Sequence, residues 1–199
     1  ADGEIGAEVY SGATSEKQAW EVFRPAKQMA ERTGDFLSFY GVQVNASNLV
    51  ILQNGSRFEP VIAKPGDGAS PSLAIADEYH EHLDSTLYDT MITGMGARRQ
   101  PLMLVITTAG SDTGGPCYGL HQDVERMLTG TTPNDRLLGV IYPIDEEDAW
   151  TTEAALRKAN PNYGVSVSAE FLKQHQADAV ASARHQNVFR TKHLNVWVT

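Results

Sequence analysis

Two short apolar runs, each followed at once by a pair of polar residues, most constrain the fold of this chain. One covers residues 73–76 and the other covers residues 102–106. Apolar runs of four to eight residues without polar alternation are typical of strands that are buried on both faces of a parallel sheet. Helix-like segments separate the β-like runs, so the sequence predicts an α/β fold.

Further elements can be predicted along the chain. Ser15, with Gln18 three residues later, resembles a capping box and predicts the start of a helix. Pro25 should kink or interrupt this helix, and Gly34 should end it. Three β-like runs between residues 36 and 63 predict a small antiparallel segment, at the edge of the sheet or inserted into it: 39–44, 49–52 and 58–62. Elsewhere we expect a strand at 8–10, a loop at 64–71, helices at 85–95, 118–128, 152–159 and 169–183, and a strand at 137–144.

Composition excludes several classes of protein. The chain has 199 residues with 16 Lys and Arg against 25 Asp and Glu, a formal net charge of −9. This balance argues against a sequence-wide electrostatic grip on nucleic acid, although a local basic patch remains open. The apolar runs are far too short to span a bilayer, so no membrane association is expected. Cys117 is the single cysteine, which excludes an internal disulfide.

Asp77 and Glu78 directly follow the first apolar run. The carboxyl ends of parallel strands line the crevice in which open α/β sheets bind ligands. In a nucleotide hydrolase, one such carboxylate holds the Mg²⁺ shell, and its neighbour orients and deprotonates the attacking water. The alternative is a strand end followed by helix-capping acids, and the two residues alone do not decide between these interpretations.

Two further pairs are candidate site residues. Thr107 and Thr108 follow the second apolar run, where hydroxyl groups could lie beside a γ-phosphate, or simply mark the exit from a strand. Arg98 and Arg99 precede that run, and their guanidinium groups are suited to stabilising charge on a transferred phosphoryl group. Cations that favour the C-terminus of a helix are an equally good explanation of this arginine pair.

Two motifs are absent. His80 and His82 follow Glu78 at a spacing that differs from the His-Glu-x-x-His pattern, so we expect no metal site there. A phosphate-binding P-loop requires a lysine directly after a glycine, and no lysine of this chain has that neighbour.

Several segments together resemble the ATPase region of tailed-bacteriophage terminase large subunits, the motors that package DNA into procapsids. They occur in the family's order and cover nearly the whole chain. They are GAEVY at 6–10, SPSLAIADEYH at 70–80, TGMGARRQP at 93–101, ITTAG at 106–110, ANP at 159–161 and FRTKHLNVW at 189–197.

The resemblance implies a P-loop NTPase of the ASCE, RecA-like type, with a mostly parallel sheet flanked by helices, that uses ATP and Mg²⁺. Asp77 then matches the Walker B carboxylate that holds Mg²⁺, and Glu78 matches the catalytic base. Thr107 and Thr108 match the motif that couples hydrolysis to movement and contacts the nucleotide. A charge-stabilising arginine, either Arg98 or Arg99, is expected between these motifs.

The resemblance also implies a larger protein. Residues 1–183 correspond to a partial ATPase domain with Walker B and coupling motifs but no Walker A, and residues 184–199 correspond to the start of a linker towards a C-terminal nuclease domain. We therefore expect that this chain alone neither hydrolyses ATP nor cuts DNA. Without the P-loop strand, the runs at 102–106 and 137–144 should each expose an unpaired apolar edge, and we expect poor solubility, self-association or a substituted strand as the result.

The implied partners are double-stranded DNA, a small terminase subunit, the portal protein and further copies of the chain in a ring, in the cytoplasm of an infected bacterial host. Two alternatives remain at this point. The residues DEYH at 77–80 also fit a DExH helicase, and the missing P-loop also fits a non-catalytic binding module.

Overall fold

The computed structural model describes residues 3–62 and 68–198, so the predicted loop at 64–71 lies partly outside the described residues. The chain divides into two compact units, Ala1–Thr107 and Thr108–Thr199. The boundary between these units therefore falls between the two threonines of the ITTAG segment.

Among the residues that the structure describes, the first unit contains a six-stranded sheet. Its strands are β1 Glu8–Ala13, β2 Val42–Val44, β3 Leu49–Ile51, β4 Ser56–Ile62, β5 Leu73–Asp77 and β6 Leu102–Ile106. They lie in the order β2-β3-β4-β1-β5-β6. Strands β4, β1, β5 and β6 pair in parallel, whereas β2, β3 and β4 pair antiparallel. This arrangement confirms the predicted α/β fold with a small antiparallel segment, which lies at one edge.

In the described part of this unit, the sheet is accompanied by helices α1 Glu16–Arg32, α2 Gly34–Tyr40 and α3 Thr86–Gly94. The predicted capping box is present, since the Ser15 side chain accepts a hydrogen bond from the Gln18 amide. Helix α1 continues through Pro25 and ends at Arg32, with Thr33 as its C-cap, so an interruption at Pro25 is wrong. Gly34 follows this cap and begins α2, rather than ending α1 in a left-handed conformation. The strand expected at 39–44 is shortened to β2, because α2 continues to the left-handed Gly41.

The helices pack closely on the central strands. Phe23 of α1 meets Phe58 of β4 edge to face, with ring centroids 5.2 Å apart. Leu87 of α3 lies directly over Gly12 of β1, where a Cβ atom would come within 2.7 Å of the leucine Cδ2. Glycine at this position therefore permits the close approach of α3 to the strand next to β5.

Between residues 108 and 198, the second unit contains the helices α4 Pro116–Leu128, α5 Glu153–Ala159, α6 Ala169–Ala181 and α7 Ala183–Leu194. Helices α5, α6 and α7 share one hydrophobic cluster. Its buried members are Ala155, Leu156, Leu172, Ala179, Phe189 and Leu194. Helix α7 was not predicted, and the interpretation of residues 184–199 as the start of a linker stays a prediction.

Residues 137–144 do not form the predicted strand. Leu138, Val140 and Tyr142 are exposed, and the segment has no β partner among the described residues. A run with strand-like composition becomes a strand only when a neighbouring strand takes up its backbone hydrogen bonds. The expectation of an apolar strand edge at 137–144 is therefore wrong, although the segment does expose apolar side chains.

Strand β6 is the edge strand expected from the sequence. Among the described residues it pairs with β5 on one side only. Its alternate residues Leu102, Leu104 and Ile106 are exposed by 56%, 41% and 49%. An apolar strand edge of this kind favours pairing with another chain. None of the described helices is both long and apolar enough to cross a bilayer.

The exposed side of β6 predicts self-association of the 199-residue chain. Replacing Leu104 by Lys should weaken this association roughly tenfold, because one buried leucine contributes at least about 1.5 kcal/mol. Sedimentation velocity over a range of concentrations measures the effect. Leu83→Lys is the control, since Leu83 is 91% exposed and lies outside the sheet. A chain that stays monomeric at every concentration would contradict the prediction.

Stability should also depend on pH through His193 of α7. Its ring packs beside Phe189 and His175, with centroids 5.4 and 5.7 Å away. Burial, and then the charge of His175, lower the pKa of His193 below its usual 6.5. The unfolded chain therefore takes up this proton first as the pH falls, and the free energy of unfolding decreases below about pH 6.5, by at most about 1.4 kcal/mol per pH unit.

Urea unfolding between neutral and mildly acidic pH measures this dependence. In the His193→Phe variant, the free energy of unfolding should depend less steeply on pH in that window. A smaller dependence should remain, because burial also lowers the pKa of His82. An unchanged slope in the variant would show that His193 does not titrate differently in the folded and unfolded chain.

Candidate active site

The carboxyl ends of β5 and β6 bring the first group of candidate residues together. The two strands pair in parallel, with Asp77 opposite Ile106. Glu78 and Thr107 each follow one member of that pair. The predicted Mg²⁺ ligand Asp77 and the predicted base Glu78 therefore lie at the same edge of the sheet as Thr107, the first threonine of the ITTAG segment.

A strained turn follows β5 at Glu78. Its backbone adopts the left-handed conformation, with φ 49° and ψ 47°, which costs a non-glycine residue about 1–2 kcal/mol. The Asp77 Oδ1 atom accepts a hydrogen bond of 3.0 Å from the Glu78 amide and so supports this turn. Backbone strain of this kind concentrates at functional sites, because the surrounding structure must hold it in place.

The Glu78 side chain is partly exposed, and one of its carboxylate oxygens has no hydrogen-bond partner among the described residues. It is 42% exposed, yet its Oε2 atom is buried and accepts no hydrogen bond from any described residue. That atom lies 3.3 Å from Nδ1 of His80. A carboxylate oxygen that accepts no hydrogen bond keeps its acceptor capacity, which suits a group that must take up a proton.

His80 was considered from the sequence only as a possible metal ligand, but the structure places its side chain against Thr107 and Glu78. The ring is 5% exposed. Its backbone amide donates to Thr107 Oγ1 at 3.0 Å, and Nδ1 lies 3.0 Å from the same oxygen. Nε2 lies 2.9 Å from a carboxylate oxygen of Glu81. The signal available was its position two residues after Glu78, in the turn that must pass beside β6.

His82 supports the turn through a contact with the backbone of β5. Its Nε2 lies 3.3 Å from the backbone carbonyl of Asp77. Burial lowers the pKa of His82, and the Asp77 carbonyl opposes that shift. Among the described residues, no three His, Cys, Asp or Glu side chains are grouped closely enough to hold a metal ion.

The site nevertheless suits Mg²⁺ held jointly with a substrate. Mg²⁺ keeps several waters and is usually bound by one or two carboxylates together with phosphate oxygens, rather than by a cage of protein ligands. Asp77 is half-buried at the strand end, and the Glu78 amide is hydrogen-bonded to only one of its carboxylate oxygens. The donor set therefore fits Mg²⁺ at Asp77, with the other ligands supplied by phosphate and water.

The two arginines lie elsewhere. They precede β6, so the length of that strand, about 13 Å, separates them from its carboxyl end. Arg98 donates from Nε to the Ser70 carbonyl at 2.6 Å and lies 3.8 Å from Glu4. Arg99 is exposed. The structure does not bring either arginine to Asp77, and a role for one of them between subunits stays a prediction.

Thr108 belongs to the second unit, and its hydroxyl donates to the Ala109 carbonyl at 3.1 Å. The next backbone groups are held by residues that follow α7. The Ala109 amide donates to the Asn195 side chain at 2.7 Å, and the Gly110 carbonyl accepts from the Val198 amide at 3.2 Å. The second half of the ITTAG segment is thus fixed from within its own unit.

Residues 1–126 match the family described as terminase large subunit, ATPase domain. The chain belongs to this family. Protein YmfN of Escherichia coli (strain K12) is 57% identical over 136 residues, which are 68% of this chain and 30% of that protein. The crystal structure of the HK97 bacteriophage large terminase superposes with a TM-score of 0.84 at 23% identity, over 98% of this chain and 41% of that one.

These comparisons confirm the family resemblance and the RecA-like fold. At 23% identity the structural match shows the fold alone, whereas the family assignment rests on residues 1–126. The terminase chain spans less than half the length of either relative.

The strained turn makes a prediction about stability. Glu78→Gly should be more stable than Glu78→Ala by about 1 kcal/mol, because only glycine adopts a left-handed conformation without strain. At the exposed helical position Glu21 the order should reverse, since alanine is favoured over glycine in helices by a similar amount. Urea unfolding of the four variants measures both differences. If the alanine variant were more stable than the glycine variant at both positions, the Glu78 backbone would not be strained.

Proposed function

We propose that this chain provides the metal-binding carboxylate, the catalytic base and the coupling motif of an ATP-driven motor that packages viral double-stranded DNA. Membership in the terminase large-subunit ATPase family supports ATP hydrolysis by the parent protein. The observation that carries the proposal is the strained Asp77–Glu78 turn beside Thr107, at the paired ends of β5 and β6.

In this proposal Asp77 would hold Mg²⁺ together with the ATP phosphates, and the bound ion would supply positive charge next to the phosphate oxygens. Glu78 orients a water molecule and accepts its proton, as the hydroxide attacks the γ-phosphorus and the bond to ADP breaks. The Glu78 side chain is 42% exposed, so its carboxylate can meet the water.

The phosphate-binding loop is supplied from outside these 199 residues, because no lysine in the chain follows a glycine. The open side of β6 is compatible with a further strand next to the coupling motif. The 199-residue chain by itself is therefore not expected to hydrolyse ATP.

Loss of the γ-phosphate is proposed to pass through Thr107 and Thr108 to a surface that grips DNA. With a net charge of −9, gripping relies on local groups and on a ring of subunits rather than on overall charge. The proposed partners are double-stranded DNA, a small terminase subunit and the portal protein, in the host cytoplasm. DNA cleavage is assigned to a nuclease domain beyond residues 184–199.

The helicase alternative loses support, because the family match is to terminases. A purely non-catalytic binding module is compatible with the missing P-loop, and the following experiment separates it from the motor.

DNA-stimulated ATP hydrolysis by the full-length protein tests the proposal. Glu78→Gln should lower kcat by roughly 10²–10⁴-fold, because the amide cannot accept the proton of the attacking water. Binding of a fluorescent ATP analogue should be retained, since the amide keeps the size of the side chain. Glu21→Gln, on the exposed face of α1, should hydrolyse ATP like the wild type.

Near-normal hydrolysis by Glu78→Gln would show that the two acids are a structural strand end. A wild-type protein without ATPase activity under packaging conditions would favour the binding module.

A further inference from the structure

The backbone of Ala109 and Gly110, in the second half of the ITTAG segment, is buried and is held by residues that follow α7. Ala109 is 2% exposed, and its amide donates to the Asn195 side chain at 2.7 Å. The next carbonyl along the chain, that of Gly110, accepts from the Val198 amide at 3.2 Å. A buried backbone donor without an acceptor is unfavourable, so the Asn195 side chain stabilises this arrangement of the ITTAG segment.

The chemistry of the Ala109–Asn195 contact fixes which side-chain atom takes part. A backbone amide only donates, so the atom of Asn195 that it meets is the amide oxygen, Oδ1. The two residues are 86 positions apart in sequence. Because a side chain supplies the acceptor, the contact can be removed by a substitution that leaves the ITTAG segment itself unchanged.

The end of α7 gives Asn195 a fixed position. Asn195 has a left-handed backbone, with φ 55° and ψ 39°, which asparagine and glycine tolerate better than other residues. The carbonyl of His193, two residues earlier, accepts from the Asn160 side chain at 2.9 Å. Leu194 is fully buried in the hydrophobic cluster of the second unit. The acceptor for Ala109 is therefore carried by an anchored helix end.

The two hydrogen bonds join two segments of the second unit, Thr108–Thr199. One segment directly follows Thr108 of the coupling motif. The other, residues 195–198, belongs to the region that is proposed to precede the nuclease domain. If the ITTAG segment moves when ATP is hydrolysed, residues 195–198 must move with it, or both hydrogen bonds must break.

We propose that Asn195 is a positioning residue, whose Oδ1 atom holds the ITTAG segment against residues 195–198 and so passes its movement to the part of the protein that follows. This role rests on the proposed function of the motor, whereas the Ala109–Asn195 contact does not. The competing explanation is that Asn195 only ends α7. That explanation requires the left-handed backbone but not the acceptor, so glycine satisfies it fully.

Amide hydrogen exchange of the 199-residue chain, followed residue by residue by NMR, tests the contact. Asn195→Gly keeps the left-handed turn and removes the acceptor, so the Ala109 amide should exchange about tenfold faster. Asn195→Asp keeps an acceptor oxygen and should keep the Ala109 amide protected. Asn187→Ala, at an exposed position of α7, is the control and should leave this exchange unchanged.

Two results would overturn the contact. One is an Ala109 amide that exchanges equally slowly in the wild type and in Asn195→Gly. The other is equal acceleration of the Ala109 amide and of the amide of Leu172, in the core of the second unit, because that pattern reports unfolding of the whole unit.

The role in the motor is tested with the full-length protein, procapsids and linear double-stranded DNA, by measuring the length of DNA packaged per ATP hydrolysed. Asn195→Gly should lower this ratio at least about threefold, because the ITTAG segment then moves without residues 195–198. Asn195→Asp should restore most of it. Unfolded molecules neither hydrolyse ATP nor package DNA, so a purely structural defect would lower both quantities and leave their ratio unchanged.

The outcomes separate the possible failures. A ratio in Asn195→Gly equal to that of the wild type overturns the role of Asn195 in coupling, and so does a ratio in Asn195→Asp that is as low as in Asn195→Gly. A wild-type protein without DNA-stimulated ATP hydrolysis would remove the proposed function of the motor. The exchange result on Ala109 would stand in that case, since it requires neither ATP nor DNA.

Discussion

The parallel pairing of β5 with β6 is the constraint on which the candidate site depends. Because Asp77 lies opposite Ile106, the residues that leave both strands emerge at the same edge of the sheet. A shift by one residue would turn the side chains of one strand to the opposite face and separate the acids from Thr107. The hydrogen-bonded register, more than any single side chain, therefore places the candidate chemistry.

The turn after β5 converts this register into a defined site. Glu78 takes a left-handed conformation, which turns the chain sharply into the 3₁₀ turn Tyr79–Glu81. Buried Tyr79 anchors the turn in the core, and its ring lies 5.1 Å from that of His82. The cost of strain at one residue is offset by the burial of its neighbours.

The two units hold the two halves of the ITTAG segment by different means. Thr107 is fixed by the amide and ring of His80, whereas the backbone of Ala109 and Gly110 is fixed by Asn195 and Val198. Asn195 is itself left-handed, at the end of α7. Each half of this segment, which is proposed to sense hydrolysis, is thus held by hydrogen bonds within the unit in which it lies.

The sequence by itself determined the fold class, the strands β5 and β6, the antiparallel segment and the pair Asp77–Glu78, because these depend on local hydrophobic runs and on the residues that end them. Only the tertiary structure decided the rest. It left residues 137–144 without a partner strand, held Arg98 at the far end of β6, and brought His80 against Thr107. Strand pairing and buried hydrogen bonds join residues that are distant in sequence, and a local pattern carries no information on which distant partner will be present.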